Sequence, residues 1–238
     1  MKKQFLLSIL LAAGVGISIA NAQTLIVEER PVKTEESIEV DSWTARLDQQ
    51  VDVCMETYSD FIRELTKTKV DKRGKMMLVA EKTSIPELSK LRIDQRAIFA
   101  SESGGTAVSF IFSPGYDVHF GHELYKAEFD KARSFVKNYV RYHYRKVYED
   151  QIESLQSKIK KYQSDVESNG KRIDKNNKSI TDSKADGETE KTRSKNEKMI
   201  RENDGYTAET ATKRRQITDM EDQVAKANES LRKALDFK

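Results

Sequence analysis

The amino-acid sequence predicts an α+β protein, in which a small antiparallel-sheet domain with packed helices is followed by a long antiparallel α-helical coiled-coil hairpin. Three patterns favour this class: alternating apolar and polar residues over 106–112, apolar residues at helical spacing over 43–65, and a heptad pattern over 149–238. We expect the sheet domain to span 23–138 and the hairpin to span 139–238.

Residues 1–22 have the three parts of a secretory signal peptide. Lys2 and Lys3 form a short positive segment, an uncharged apolar stretch follows, and Ala20 and Ala22 are the small residues of a cleavage site. The short lysine-led signal is typical of bacteria, so we expect a periplasmic or secreted protein that is cleaved after Ala22. A retained N-terminal anchor is the alternative, although the apolar run is short for a membrane span.

Charge and cysteine content limit the remaining classes. The net charge is +3, and removal of Lys2 and Lys3 lowers it to +1. Dedicated nucleic-acid-binding proteins carry a large basic excess, so no nucleic acid is expected as a partner. No segment after the signal resembles a membrane span, so we expect no transmembrane segment in the mature chain. Cys54 is the only cysteine and cannot form an internal disulfide.

The sheet domain is expected to contain one amphipathic helix between short strands. Apolar residues recur at steps of three and four from Trp43 to Leu65, which predicts a helix with its N-cap at Asp41 or Ser42. A second helix is expected to open after Gly121 and to continue into the coiled coil. Strands are expected at 24–27, 37–40, 76–80, 93–100 and 106–112, with 101–105 as a hairpin loop.

Residues 149–238 contain no proline and 39 charged side chains, too many for a globular core. Apolar residues at alternating steps of three and four predict two coiled-coil helices joined by a turn near 184–188. Folding about Gly187 would place Ile152 near residue 222. The first seam comprises Ile152, Leu155, Ile159, Tyr162, Val166, Ile173 and Ile180, and the second Met199, Tyr206, Ile217, Met220, Val224, Ala227, Leu231 and Ala234.

Polar residues interrupt both seams in the distal half of the hairpin, roughly 168–214. Such residues lower stability but can fix the register and the number of helices. Gly170 and Gly205 weaken this half further, by about 1 kcal/mol each relative to alanine. A disordered tail is therefore the alternative interpretation of this part. The interrupting residues are Asn169, Asn176, Asn203, Thr210 and Lys213.

The sequence contains no motif for nucleophilic catalysis, phosphate binding or a zinc site, so we expect no enzyme activity, no cofactor and no metal. Cys54 lies on the apolar stripe of the first predicted helix and is expected to be a buried core residue. Asp117, His119 and His122 have a spacing compatible with a metal site, but a polar loop is the favoured interpretation because His143 is the one other histidine.

The most distinctive surface feature lies in 131–146, which holds six basic and no acidic side chains. Four of them are spaced by four residues, which places them on one helix face with tyrosines interleaved. Such a face can contact an anionic surface, whereas the alternative is a solvated face that acidic residues elsewhere in the protein neutralise. This basic stripe consists of Arg133, Lys137, Arg141 and Arg145.

These patterns favour an exported, non-enzymatic structural or interaction protein that presents a coiled-coil arm to a protein or another envelope component. One alternative is a ligand-binding or hydrolytic periplasmic domain that uses the coiled coil for oligomerisation. The other is a protein that binds the envelope or a lipid surface through the basic stripe. The sequence patterns leave the oligomeric state open.

The signal-peptide interpretation predicts that the exported protein begins at Gln23. The expected mass is that of the chain without residues 1–22, because signal peptidase cleaves after the small residue Ala22. Intact-mass spectrometry of the exported protein measures this. Export with residues 1–22 still attached would contradict the prediction.

Overall fold

The computed structural model describes residues 26–34, 37–115, 118–187 and 189–237. The predicted signal peptide and Asp117 lie outside the described residues. The elements in chain order are β1 (Val27–Glu29), β2 (Val32–Lys33), β3 (Glu39–Val40), β4 (Trp43–Leu47), α1 (Val51–Thr66), β5 (Asp71–Arg73), β6 (Met77–Thr83), β7 (Ile93–Glu102), β8 (Gly105–Ser113), α2 (Lys126–Ala185) and α3 (Glu190–Leu235).

Six strands form one antiparallel sheet in the order β1-β4-β8-β7-β6-β5, and β2 pairs with β3 separately. Strands β7 and β8 form the predicted hairpin, with Ala97 opposite Phe110 and Glu102 opposite Gly105. Gly105 cannot carry a side chain, because an added Cβ would lie 2.0 Å from the Leu47 carbonyl oxygen. The α+β class is therefore confirmed.

One face of the sheet is covered by α1 and by the first part of α2. Tyr139 of α2 lies at the centre of this layer, with its ring 5.6 Å from that of Tyr58 and 5.4 Å from that of Phe110. Val108, Phe110 and Phe112 of β8 belong to the core cluster, as predicted, but the intervening Ser109 and Ile111 are buried as well, so both faces of this strand are covered. The apolar layer between sheet and helices thus stabilises the domain in proportion to its buried area.

The prediction of a helix from Trp43 was wrong, because Trp43–Leu47 is strand β4. Ala45 pairs with Val108 of β8, and the exposed Arg46 alternates with buried neighbours. Helix α1 begins only at Val51 after Gln50, so the N-cap at Asp41 or Ser42 was wrong as well. Trp43 and Leu47 are four residues apart, a spacing that fits one face of a helix or of a strand.

The predicted helical hairpin is confirmed. α2 has 60 residues and α3 has 46, and the two helices pack against each other along their lengths. Both are continuous through 168–214, where disorder was the alternative. Thr189 caps α3, because its hydroxyl accepts a hydrogen bond from the Thr192 backbone. Within the described residues, no helix combines the length and hydropathy that a membrane span requires.

The register of the hairpin differs from the register that a turn centred on Gly187 predicts. The side chains of Asn176 and Asn203 are hydrogen-bonded at 2.9 Å, whereas the predicted turn would place residue 198 opposite Asn176. Lys198 is exposed and forms a loose ion pair at 3.9 Å with Glu202 of its own helix. The heptad phase of the two seams therefore decides the pairing, and it shifts the partner by about five residues.

Several seam positions of the distal half are occupied by hydrogen-bonded or ion-paired side chains. Ser183 and Asn196 are hydrogen-bonded near the turn. Nearer the sheet domain, the Lys213 ammonium lies 2.6 Å from Asp165 and 2.7 Å from Glu209, and these bonds raise the pKa of Lys213. Such pairs favour one register because a slipped hairpin would leave them without partners.

We predict that Asn176→Leu with Asn203→Leu stabilises the arm but weakens its register. A leucine pair avoids the partial desolvation of two half-buried amides and adds apolar contact, so the free energy of unfolding should rise by about 1 kcal/mol. Thermal melts followed by circular dichroism measure the stability. Cysteines in place of Ser183 and Asn196, whose side chains meet across the two helices at 3.0 Å, report the register by their disulfide yield, which should fall in the double variant.

Asn228→Leu is the control, because Asn228 is exposed on α3. It should change neither the melting temperature nor the disulfide yield. A destabilised double variant would contradict the interpretation that the amides mainly specify register.

Candidate functional site

The N-terminal part of α2 positions every residue of the basic stripe. Its buried face packs on the sheet through residues at helical spacing, among them Ala132, Val136 and Tyr139. Phe135 lies between the sheet and α1, with its ring 5.3 Å from that of Phe112 in β8 and 5.3 Å from that of Phe61 in α1. Because these two faces are occupied, the cations are confined to the remaining surface of the helix.

The structure divides the basic stripe into two halves. Residues four apart on a helix advance by about 40°, so the stripe winds around α2. Arg133 lies on one side, with its Cζ atom 5.4 Å from the centre of the Trp43 ring. Arg145 lies on the other side, 5.2 Å from the Tyr142 ring. The four cations therefore do not converge on one point.

Arg141 and Arg145 line a surface depression of about 350 Å³ between α1, α2 and the end of α3. A second depression, of about 360 Å³, lies further along the same two helices. We call the two together the α1–α2 groove, because they share Phe61 and Asn138. The other lining residues are Tyr142 and Leu235 in the first depression and Leu65, Ile85, Glu87, Leu88, Lys131, Ser134 and Phe135 in the second.

The floor of the α1–α2 groove is apolar and its rim is mostly basic. Leu65 and Leu235 are 46% and 48% exposed, one in each depression. Large apolar side chains that remain half-exposed beside a concave surface are typical of binding sites.

Neighbouring groups hold the basic rim of the groove in place. Arg141 donates a hydrogen bond to the Oδ1 atom of Asn138. The Tyr142 hydroxyl donates to Glu64 at 2.7 Å. Burial, followed by the hydrogen bond to the Glu64 carboxylate, raises the pKa of Tyr142, so its phenol stays protonated at neutral pH. The ring beneath Arg145 is thereby fixed and uncharged.

Among the described residues, no acidic side chain forms an ion pair with any cation of the basic stripe. Neutralisation of the stripe by the returning helix would need ion pairs with acidic residues of α3, and none is formed among the described residues. Glu229 of α3, for example, bonds to Lys233 of its own helix at 2.7 Å. The acidic group described beside the stripe is Glu64, which accepts the hydrogen bond of Tyr142, the residue whose ring lies under Arg145.

Cys54 and His143 lie in the core between α1 and α2. Cys54 is fully buried, as predicted, and burial raises the pKa of its thiol to about 12. The His143 Nδ1 atom lies 2.7 Å from the Thr57 hydroxyl, and burial lowers the pKa of His143 to about 4. At neutral pH the thiol is protonated and the imidazole is uncharged, so both act as packing groups.

Sequence reasoning missed this role of His143. The signal was its position four residues after Tyr139 on the buried face of the second helix.

His122, which the sequence offered as a possible metal ligand with His119 and Asp117, is hydrogen-bonded to other protein groups. The Nε2 atom of His122 bonds to Glu29, and its backbone amide donates to Asp41 at 2.8 Å. In the described part of the chain, no group of three or more histidine, cysteine or acidic side chains is arranged to hold a metal ion.

Comparisons with known proteins add no family to these observations. No protein-family model matches the chain. No curated protein and no solved structure is significantly similar to it.

We predict that His143 makes the fold sensitive to acid. In the unfolded chain a histidine protonates near pH 6.5, whereas in the folded protein His143 protonates only near pH 4. Stability should therefore fall as the pH drops through this window, by about 2 kcal/mol between pH 7 and pH 5. Urea denaturation at each pH measures the free energy of unfolding.

His143→Gln should remove this part of the acid sensitivity, whatever its effect on absolute stability. His122→Gln removes a histidine that is not buried and is the matched control. Equal pH dependence in His143→Gln and the unmodified protein would show that His143 is not the responsible group.

Proposed function

We propose that this protein is an exported, non-enzymatic interaction protein that presents its coiled-coil arm to a partner in the cell envelope. The observation that carries the proposal is the continuity of α2, which begins in the core and runs for 60 residues. Tyr148 is its last residue packed against the core, and the helix ends 37 residues further along, at Ala185. At about 1.5 Å per residue, the arm extends about 55 Å beyond the sheet domain.

Both helices are anchored at the base of the arm. Tyr148 of α2 packs against the core cluster with its ring 5.9 Å from that of Tyr144. Ala234, near the end of α3, is buried in the same cluster, and Phe237 packs against it. An arm attached through both helices holds a fixed direction, which supports a presenting role.

The surface of the arm is suited to an aqueous environment. Pairs at i,i+4, such as Glu167 with Lys171 and Glu229 with Lys233, cover the helices with both signs of charge. Ile200 is an exception, because it is 46% exposed in the distal half, next to the buried Met199. An exposed apolar side chain on a charged helix gives a partner an anchor.

The buried state of Cys54 and His143 supports a non-enzymatic role, since neither group is accessible to a substrate. The oligomerisation alternative requires seams that pair between chains. Asn176 with Asn203 and Ser183 with Asn196 are satisfied within one chain, which favours a hairpin that closes on itself.

Site-specific photo-crosslinking in exporting cells tests the arm. A photoreactive amino acid replaces exposed Glu197, three residues from Ile200 on α3, or exposed Lys72 on the edge strand β5. We expect a discrete crosslinked complex from position 197 and none from position 72. Complexes from position 72 alone, or from neither position, would contradict the proposal.

The contribution of Ile200 is tested in the chain that carries the position 197 probe. Ile200→Glu should reduce the crosslinked complex about tenfold, because a charge removes the apolar anchor. Thr212→Glu adds the same charge at another exposed arm position and should leave the yield unchanged. Equal losses in both variants would show that charge, rather than Ile200, determines the contact.

A further inference from the structure

We propose that the α1–α2 groove binds an anionic amphiphile with a single acyl chain. The anionic head, a phosphate or carboxylate, lies between Arg141 and Arg145, and the chain lies along the apolar floor toward Leu65. This site is on the sheet domain and is independent of the contact proposed for the arm.

The dimensions of the groove suit such a ligand. Its depressions of about 350 and 360 Å³ meet at Phe61 and Asn138, and each has the size of a small-molecule site. From Lys131 to Arg145 the groove follows α2 for 14 residues, or about 21 Å. This length accommodates an extended acyl chain.

The apolar end of the groove is formed by three separate segments of the chain. Leu65 comes from α1, Leu88 from the turn before β7, and Phe135 from α2. Leu65 is half-exposed, so an acyl chain on this floor would remove apolar surface from water. The two charged lining residues of this depression, Lys131 and Glu87, have opposite signs and give it no net preference for an anion.

Two arginines line the other end of the groove, and the neighbouring Glu64 carboxylate is held by the Tyr142 hydroxyl. The depression lined by Arg141 and Arg145 has no acidic side chain among its described lining residues. Arg141 uses one nitrogen to bond Asn138, which leaves its other donors for a ligand. Arginine binds phosphate and carboxylate groups through paired donors, and two arginines at one end of an apolar floor define where the head lies.

This polarity favours an amphiphile over an acidic peptide. A peptide helix in a groove needs compatible side chains along its whole length, whereas here the uncompensated cations are confined to the Leu235 end. A head at one end and a tail at the other match that distribution.

Isothermal titration calorimetry of the full mature chain tests the proposal. The probes are decyl phosphate below its critical micelle concentration, inorganic phosphate and decanol. We expect saturable one-to-one binding of decyl phosphate, with affinity that falls as salt rises. Inorganic phosphate and decanol should each bind at least about tenfold more weakly, because each lacks one half of the recognised structure.

The basic stripe provides its own matched control. Arg141→Gln with Arg145→Gln should weaken decyl phosphate binding about tenfold or more, because the two charged donors of the head site are lost. Arg133→Gln with Lys137→Gln removes the same charge from the same helix outside the groove, and should change the affinity less than about threefold. Equal losses in the two variants would overturn the proposal in favour of a general electrostatic effect.

The apolar half is tested in the same way. Leu65→Gln should weaken binding, whereas Leu124→Gln changes an exposed leucine outside the groove and should not. Vesicles with 30% anionic phospholipid distinguish a membrane surface from a monomeric ligand. Binding to these vesicles without saturable binding of monomeric decyl phosphate would overturn the proposal, as would decyl phosphate binding that Leu65→Gln leaves unchanged.

Discussion

The packing of α2 against the sheet is the interaction on which the rest of the structure depends. Tyr139 contacts the rings of Tyr58, Phe61 and Phe110, so the rotation of α2 about its axis is fixed by the core. The same helix continues into the arm without a break. Its rotation in the core therefore also sets where the coiled-coil seam begins and which surface remains for the basic stripe.

The two parts of the molecule reach a defined structure by different physical means. The sheet domain buries a contiguous apolar layer, which stabilises it in proportion to the buried area and whose close packing selects one arrangement. In the distal arm, paired polar groups such as Asn176 with Asn203 and Asp165 with Lys213 lower the stability of the seam but specify its register. A long arm needs this, because a helix pair held by apolar side chains alone can slip by a heptad at little cost.

The sequence predicted the coiled-coil seams, which depend on the periodicity of apolar residues. It failed where a spacing fitted both a helix and a strand, and where a site is formed by residues far apart in the chain. Heptad spacing identified the seams, including Asn176 and Asn203 as seam positions. The pair Trp43 and Leu47 satisfied helical and strand spacing alike, and β8 decided in favour of a strand by pairing with β4. The α1–α2 groove could not be predicted from the sequence, because Phe61, Arg141 and Leu235 are brought together only by the packing of three helices.

The half of the basic stripe that lines the groove, Arg141 and Arg145, combines two costs on one surface. Like charges at i,i+4 destabilise a helix by a few tenths of a kcal/mol per pair, and half-exposed leucines leave apolar surface in water. Elsewhere the protein avoids the first cost by pairing, as in Lys171 with Glu167. On the groove, unpaired Arg141 and Arg145 adjoin the half-exposed Leu235. A ligand that is both anionic and apolar relieves both costs at once, whereas neutralisation by acids within the protein would relieve only one.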